Sequence, residues 1–278
     1  MNILLKQVSW LDFGIPFRLL GIMESIDTEI AARIRQDIIL GNYEPGERLS
    51  EAQLCETHNV SRTPVRLALR LLERERVIRK GEGRGYLVQS LTVEDILQAV
   101  EVRGHLESLG ARRMAQNPDR QNFLPDMEAA IRSGEEAIED LARIGKQDSS
   151  VLSAAHAANK IFHGTILAGC GNDYVGYTCE QISHLPMLEV GSMTFDRSVD
   201  DTPQHFERGL FRMRLGIAQH IVIYEAIEKG DAVRAEGMMR EHSHTMIEYI
   251  QTFEKKGADL TVADLIAFSS VAQIAETN

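Results

Sequence analysis

The apolar positions in the first third of the chain recur at helical spacing and then gather into two short runs. From residue 62 to residue 74 they repeat every three or four residues, which predicts a helix with one face in a core. A shorter helix is predicted just before it, because Ser50 and Gln53 form a capping box, in which both side chains satisfy backbone donors at a helix start. Residues 58–60 form the turn between the two helices, and Ser61 is the predicted N-cap of the second. The apolar positions of the second helix are Val65, Ala68, Leu69 and Leu72.

The two short apolar runs after this helix predict a β-hairpin. Residues 77–79 form one strand and residues 86–88 the other, and the tip between them contains glycines that allow close backbone approach. Two short helices, a turn and a hairpin in this order are the layout of a winged helix-turn-helix, whose second helix suits the major groove of DNA. The pattern therefore predicts a DNA-binding domain near the start of the chain.

Positive charge is concentrated on the second helix and the hairpin. Residues 61–84 hold 8 Lys and Arg against 3 Asp and Glu, although the whole chain has a formal net charge of −11. A basic stripe alone is more often a solvated helix face than a binding site. Here the cap, the turn and the hairpin accompany it, and a helix N-terminus also favours phosphate, so the combination indicates DNA binding. The stripe recurs every four residues and consists of Arg62, Arg66, Arg70 and Arg74.

After residue 90 the pattern is helical almost throughout. A helix opens at Ser90 and Thr92 and runs to Asn117, where Pro118 stops it. No alternating strand pattern follows, and the one long irregular piece is residues 195–205. The prediction is a mainly α fold, in which the winged helix-turn-helix precedes an antiparallel bundle of six or seven helices. Further helices are predicted near 121–145, 150–168, 172–193, 207–229, 231–255 and 261–275.

These patterns divide the chain of 278 residues into two domains with flanking segments. The predicted parts are an N-terminal extension at 1–22, a winged helix-turn-helix at 23–90, an all-helical domain at 91–255 and a C-terminal helical tail at 256–278. The extension is interpreted as an arm that packs on a partner subunit or as a start site ahead of Met23. Three cysteines without a C-x-x-C pair indicate a reducing cytoplasm, and no apolar run is long enough to span a membrane.

From Asp27 onward the first domain resembles the GntR family of bacterial transcription regulators. The matching words are residues 38–49, 60–66 and 83–86. Two departures are visible: Leu67 stands where the family usually has Glu, and Arg76 stands where it usually has Gly. The resemblance implies that operator DNA is the partner. The residues it assigns to DNA binding are Ser61, Arg62, Thr63, Arg66, Arg70, Gly83 and Arg84.

The helical half, about residues 92–250, resembles the FCD domain, the effector-binding half of the FadR branch of that family. The matching words include residues 101–103 with 106–107, 161–163, 171–172, and 226–231. Many FCD domains bind a divalent metal through one Asp and three His, and Asn159 replaces that Asp here. Three neutral imidazoles still suit zinc or nickel, so a metal cofactor remains the prediction. The positions that map to the ligands are Asn159, His163, His220 and His242.

Each of these residues also has a plainer interpretation. A single histidine is more often a satisfied core or surface residue than a ligand, and His156, seven residues before His163, could substitute for one of the three. Arg103 is predicted to grip the carboxylate of an effector with its planar guanidinium. Its alternative is an ion pair with Glu107, four residues on.

The sequence therefore predicts a cytoplasmic, homodimeric transcription regulator, a repressor, that senses a small organic acid. Two other classes are weighed against it. A metal-dependent hydrolase would use the open metal position to activate water, but no general base is evident and the DNA-binding half would be unexplained. A DNA-binding protein whose helical domain only dimerises would have lost its metal site with the change to Asn159.

Overall fold

The computed structural model describes residues 25–39, 41–83, 85–90, 92–183 and 203–254. The predicted N-terminal extension, the C-terminal tail and Arg84 lie outside the described residues. Among the described helices, none is long and apolar enough to cross a membrane. In the first domain the helices and strands are α1 (Ile26–Ile39), β1 (Arg48–Leu49), α2 (Glu51–His58), α3 (Arg62–Arg74), β2 (Ile78–Lys80) and β3 (Tyr86–Val88).

The first domain is a winged helix-turn-helix, as the sequence predicts. The hairpin strands β2 and β3 pair antiparallel with Ile78 opposite Val88, and β1 adds a third strand on the other side of β3. The sequence pattern did not reveal β1, because two residues are too few to show a period. The predicted apolar face of α3 is completely buried and packs against α1, α2 and the sheet.

Local signals set the ends of the helices in this domain. The Ser50 hydroxyl accepts a hydrogen bond from the backbone N–H of Gln53 at 3.2 Å, which is one half of the predicted capping box, so α2 begins where predicted. Ser61 occupies the N-cap position of α3, but its hydroxyl makes no capping hydrogen bond, which corrects that part of the prediction. Asn59 ends α2 in the left-handed conformation, and Arg76 adopts the same conformation after α3, with φ of +61°.

The second domain is a helical bundle, again as predicted. Glycines in the left-handed conformation mark three of the predicted breaks: Gly145, Gly171 and Gly230. Thr92 and Asp95 cap the first helix of the bundle reciprocally. The helices are α4 (Val93–Gln116), α5 (Leu124–Ile144), α6 (Ser149–Gly169), α7 (Asp173–Ile182), α8 (Pro203–Glu228) and α9 (Ala232–Glu254), with a short 3₁₀ turn at Arg120–Asn122.

Two of the predicted helix boundaries in this domain were wrong. The seventh helix ends at Ile182, not near residue 193, and the eighth begins at Pro203, inside the stretch predicted to be irregular. Proline fits the first turn of a helix, where its missing N–H costs nothing. Pro203 therefore suits a helix start, although it falls in the stretch predicted to be irregular.

Two apolar clusters fill the bundle and are separated along its length. One surrounds Phe162 and Met239, and the other includes Ile138, Ala155 and Met213. Between the two clusters, small residues allow helices to approach closely. A Cβ on Gly104, for example, would lie 2.7 Å from the Ser243 Cβ. The approach of α4 to α9 at this point places polar side chains of both helices inside the bundle.

Candidate functional sites

The first candidate site is the exposed side of α3. Arg62, Thr63, Arg66 and Arg70 are all exposed, while the opposite face of the helix forms the core. The predicted DNA-binding arginines of α3 are therefore brought together on one surface. Gly83, at the tip of the hairpin, is exposed and has a φ of +98°, a conformation that favours glycine.

One of these arginines has a partner in the free protein. The Nε of Arg66 donates a hydrogen bond to Oε2 of Glu51 at 2.8 Å, and the two side chains are 58% and 33% exposed. Glu51 lies at the start of α2, directly beside the N-terminal half of α3. An exposed pair of this kind contributes about 1 kcal/mol or less, so DNA can displace it or use the terminal nitrogens that it leaves available.

The second candidate site is a cluster of three imidazoles from α6, α8 and α9. His163, His220 and His242 place ring nitrogens within 4.8 Å of one another, and the Nε2 atoms of His220 and His242 are 3.3 Å apart. Phe162 stacks on His220 with ring centroids 3.9 Å apart and orients that imidazole. The sequence prediction that these three histidines share one site is therefore matched by the geometry.

The protonation of the cluster suits metal binding. Burial, and then the neighbouring imidazoles, hold the pKa of His220 well below its ordinary value, and burial lowers the pKa of His242 to about 3. Both rings are therefore neutral near pH 7. The Nδ1 of His242 lies 2.9 Å from Oε1 of Gln219, an acceptor, so Nδ1 carries the proton and Nε2 keeps its lone pair facing the cluster.

An ion pair is buried directly beside the histidines. The Nε of Arg103 donates to Oε1 of Glu107 at 2.9 Å, and both side chains are less than a tenth exposed. Oε2 of Glu107 lies 3.4 Å from Nδ1 of His163, but the two groups are not aligned for a hydrogen bond. Burial alone would raise the pKa of Glu107, but Arg103 and His163 outweigh it and hold the pKa below its usual range. Glu107 is thus an anion next to a candidate ligand.

These residues line a cavity of about 120 Å³ between the two apolar clusters. Arg103, Asn159 and the three histidines border it at one end, and the apolar residues Ile138, Ala155 and Met213 of the second cluster border it at the other. A volume of this size holds about four water molecules or one small organic molecule.

The residues present fit a metal ion. Two nitrogens each about 2.05 Å from a tetrahedral zinc lie about 3.3 Å apart, which is the separation of the His220 and His242 nitrogens. Asn159 lies one helical turn before His163, is half-buried and borders the same cavity, so its amide is placed on the correct side of α6. His156 is not among the residues that border the cavity.

Sequence reasoning missed three polar residues of this site. The sequence indicates Glu107 only as the alternative partner of Arg103, and it does not single out Gln219 or Arg212. The spacing of four between Arg103 and Glu107 could have placed both on the cavity face of one helix. Gln219 and Arg212 carry no comparable signal, because their places at the cavity depend on how the helices pack.

A winged helix-turn-helix joined to a helical domain with a buried histidine cluster and a cavity defines a DNA-binding regulator. The chain belongs to the GntR family of bacterial regulatory proteins: the family's DNA-binding model matches residues 26–88, and the FCD domain model matches residues 98–245. The FCD domain is the effector-binding half of such regulators. Members of the family are transcription regulators that bind operator DNA, not enzymes.

Several regulators are similar to most of this chain. An uncharacterised HTH-type transcriptional regulator of Bacillus subtilis, YdhC, is 24% identical over 227 residues, which are 82% of this chain and 92% of that protein. The transcriptional repressor GlaR of Escherichia coli is 25% identical over 222 residues, 78% of this chain and 92% of that protein. The solved structure of E. coli McbR/YncC covers 83% of this chain and 99% of its own, with a TM-score of 0.56 and 16% sequence identity, which shows a shared fold.

Proposed function

We propose that this protein is a cytoplasmic, homodimeric repressor that binds operator DNA and releases it when a small carboxylate enters the helical domain. One observation supports this most directly: the cavity that could hold a ligand is bordered by buried charged and imidazole groups and lies in the helical domain, not in the winged helix-turn-helix. A ligand there alters operator affinity if it binds better to one placement of the two DNA-binding domains than to another. The repressor assignment rests on relatives that are named repressors, GlaR among them.

The proposed DNA contacts follow from the geometry of α3. Arg62 and Arg66 lie at its N-terminal end, which in a helix-turn-helix contacts base edges, and a bidentate arginine reads guanine. Ser61, whose hydroxyl makes no capping bond, is available to a phosphate together with the free amides at the helix start. Thr63, Arg70, Gly83 and Arg84 complete the proposed interface.

The proposed metal ligands are His163, His220 and His242, with Asn159 as a weak fourth ligand, and zinc or nickel as the metal. Such an ion would supply an open coordination position for a carboxylate oxygen. Gln219 is proposed to orient the imidazole of His242, and the negative charge of Glu107 beside His163 is proposed to favour a bound cation. Arg103, held by Glu107, is proposed to add a directed guanidinium contact to the same carboxylate.

Operator binding by arginine variants tests the DNA half of this proposal. Arg62→Ala and Arg66→Ala should each lose roughly 1–3 kcal/mol of binding free energy and relax the sequence preference at one position. Arg74→Ala, farther along α3, should weaken binding to all sequences alike. Gel shifts across operator variants measure both effects. Parental affinity in the Arg62 and Arg66 variants would show that the DNA interface is elsewhere.

Metal analysis tests the other half. Protein purified without a histidine tag should contain one divalent ion per chain, and its removal by a chelator should lower the melting temperature, because the unfolded chain offers no comparable site. Asn159→Asp should bind metal more tightly than the parent, since it restores a negative charge. Protein that contains no metal and gains no stability from zinc, nickel or manganese would leave the bundle as a metal-independent sensor or a dimerisation domain.

A further inference from the structure

We propose that Leu67 is a specificity-determining residue that reads the 5-methyl group of a thymine in the operator. The inference rests on the proposed DNA interface and adds a contact to it. Leu67 is 45% exposed, and Ile26 is the other large apolar residue exposed among the described residues of the first domain. Ile26 begins α1, where a helix end is solvated, whereas Leu67 lies in the middle of the exposed face of α3.

The exposure of Leu67 follows from its position on α3. Successive residues of a helix are offset by about 100°, so Leu67 points away from the buried face and shares a row with Thr63 and Arg70, four residues before it and three after it. A single exposed leucine is ordinary on a protein surface. An apolar side chain between the cationic groups of a recognition helix gains nothing in water, and it is buried only when that helix is covered.

The chemistry of the major groove indicates which base Leu67 would contact. The base edges exposed there present hydrogen-bond donors and acceptors, with one apolar exception among them, the thymine methyl group. Leucine cannot satisfy a donor or an acceptor, so covering a base edge other than thymine with it would leave polar atoms without partners. Arg66 and Arg70 are also exposed on α3 and can hold phosphates or guanine while the leucine lies over the groove floor.

Removal of a single methyl group from the DNA tests this contact. An operator is first selected from random DNA with the parent protein, and each thymine in it is then replaced in turn by deoxyuridine, which keeps the hydrogen-bonding edge and lacks the methyl. At one thymine of each half-site the parent should lose about fourfold in affinity, the value for one buried methyl-sized group. Leu67→Ala should show no loss on the same replacement.

Controls separate this contact from folding and from the wider DNA interface. Leu67 is exposed, so Leu67→Ala should keep the parental melting temperature, and Val233→Ala, at an apolar residue 82% exposed on α9, should keep the full sensitivity to deoxyuridine. Leu67→Gln should select a different base at that position from random DNA. If every deoxyuridine operator affects the parent and Leu67→Ala equally while Arg66→Ala loses binding, the thymine contact is refuted and the DNA interface stands. If Arg66→Ala binds normally as well, both are refuted.

Discussion

The two domains use the same ion pair, a guanidinium and a carboxylate, in opposite environments. In the DNA-binding domain Arg66 and Glu51 meet at 2.8 Å with side chains 58% and 33% exposed, whereas in the bundle Arg103 and Glu107 meet at 2.9 Å with 7% and 4% exposed. Water competes with the first pair, so it can be exchanged for DNA at little cost. The second pair is shielded, so each charge depends on the other. Recognition of DNA requires charges that can be exchanged, and a ligand cavity requires charges that are fixed.

The largest expected effect comes from removing one carboxylate from each pair. Glu107→Ala should destabilise the bundle by about 3–5 kcal/mol, because the charge of Arg103 stays buried after its carboxylate partner is removed. Glu51→Ala should cost about 1 kcal/mol or less, because Arg66 returns to water. Urea unfolding followed by circular dichroism measures both variants. Equal losses in the two variants would contradict the comparison.

A smaller effect is expected from pH in the metal-free protein. Burial lowers the pKa of His220 and His242 in the folded state, so the unfolded chain binds more protons, and stability is complete above the unfolded pKa of about 6.5. As the pH falls from 6.5 to 5.5, each of the two should remove about 1 kcal/mol, because the unfolded imidazole takes up a proton that the folded one does not. Unfolding at pH 7.5, 6.5 and 5.5 in the presence of a chelator measures the slope.

An exposed histidine of the same bundle provides the control for this slope. His244→Gln, at a side chain 57% exposed, should keep the slope, whereas His242→Gln should reduce it by about half. In the first domain His58 also has a lowered pKa, through burial and the nearby Arg33, but it is only partly buried and should add little. A slope that persists in His242→Gln would place the titrating groups elsewhere.

The smallest expected effect concerns the backbone of the DNA-binding domain. Arg76 has a φ of +61°, a conformation that costs a residue with a Cβ roughly 1–2 kcal/mol and that glycine adopts freely. Arg76→Gly should therefore stabilise this domain by about 0.5–1 kcal/mol after the extra entropy of glycine in the unfolded chain is subtracted. A raised melting temperature with unchanged operator affinity is expected. A loss of stability would show that the Arg76 side chain contributes more than its backbone costs.

The sequence was sufficient for the features that depend on neighbours along the chain. The buried face of α3, the cap at Ser50 and the break at Gly230 follow from spacing and residue type within a few positions. The three histidines were grouped by resemblance to a known domain, since residues 163, 220 and 242 share no local pattern. Their convergence is a property of three helices packed together, and the histidine spacing alone could not establish it.

The features that escaped prediction depend on contacts between helices. Glu107 becomes part of the site because α4 packs beside α6 and brings its carboxylate to His163. Gln219 is placed at the Nδ1 of His242 by the packing of α8 on α9. Neither the burial of the Arg103 pair nor the cavity between the two apolar clusters could be inferred from periodicity, because both depend on how helices far apart in sequence are arranged.

The most direct test is whether small acids that bind the helical domain change the operator affinity of the full-length protein. Fluorescence anisotropy should be recorded with metal-loaded parent and with the double variant Arg103→Met, Glu107→Met, which replaces the buried pair without leaving a lone charge. The probes are gluconate, lactate, succinate and citrate. At least one acid is expected to weaken operator binding by the parent about tenfold or more and to leave the folded double variant unaffected. Operator binding that no acid changes, or a double variant that responds like the parent, would contradict the claim that this cavity controls the DNA-binding domain.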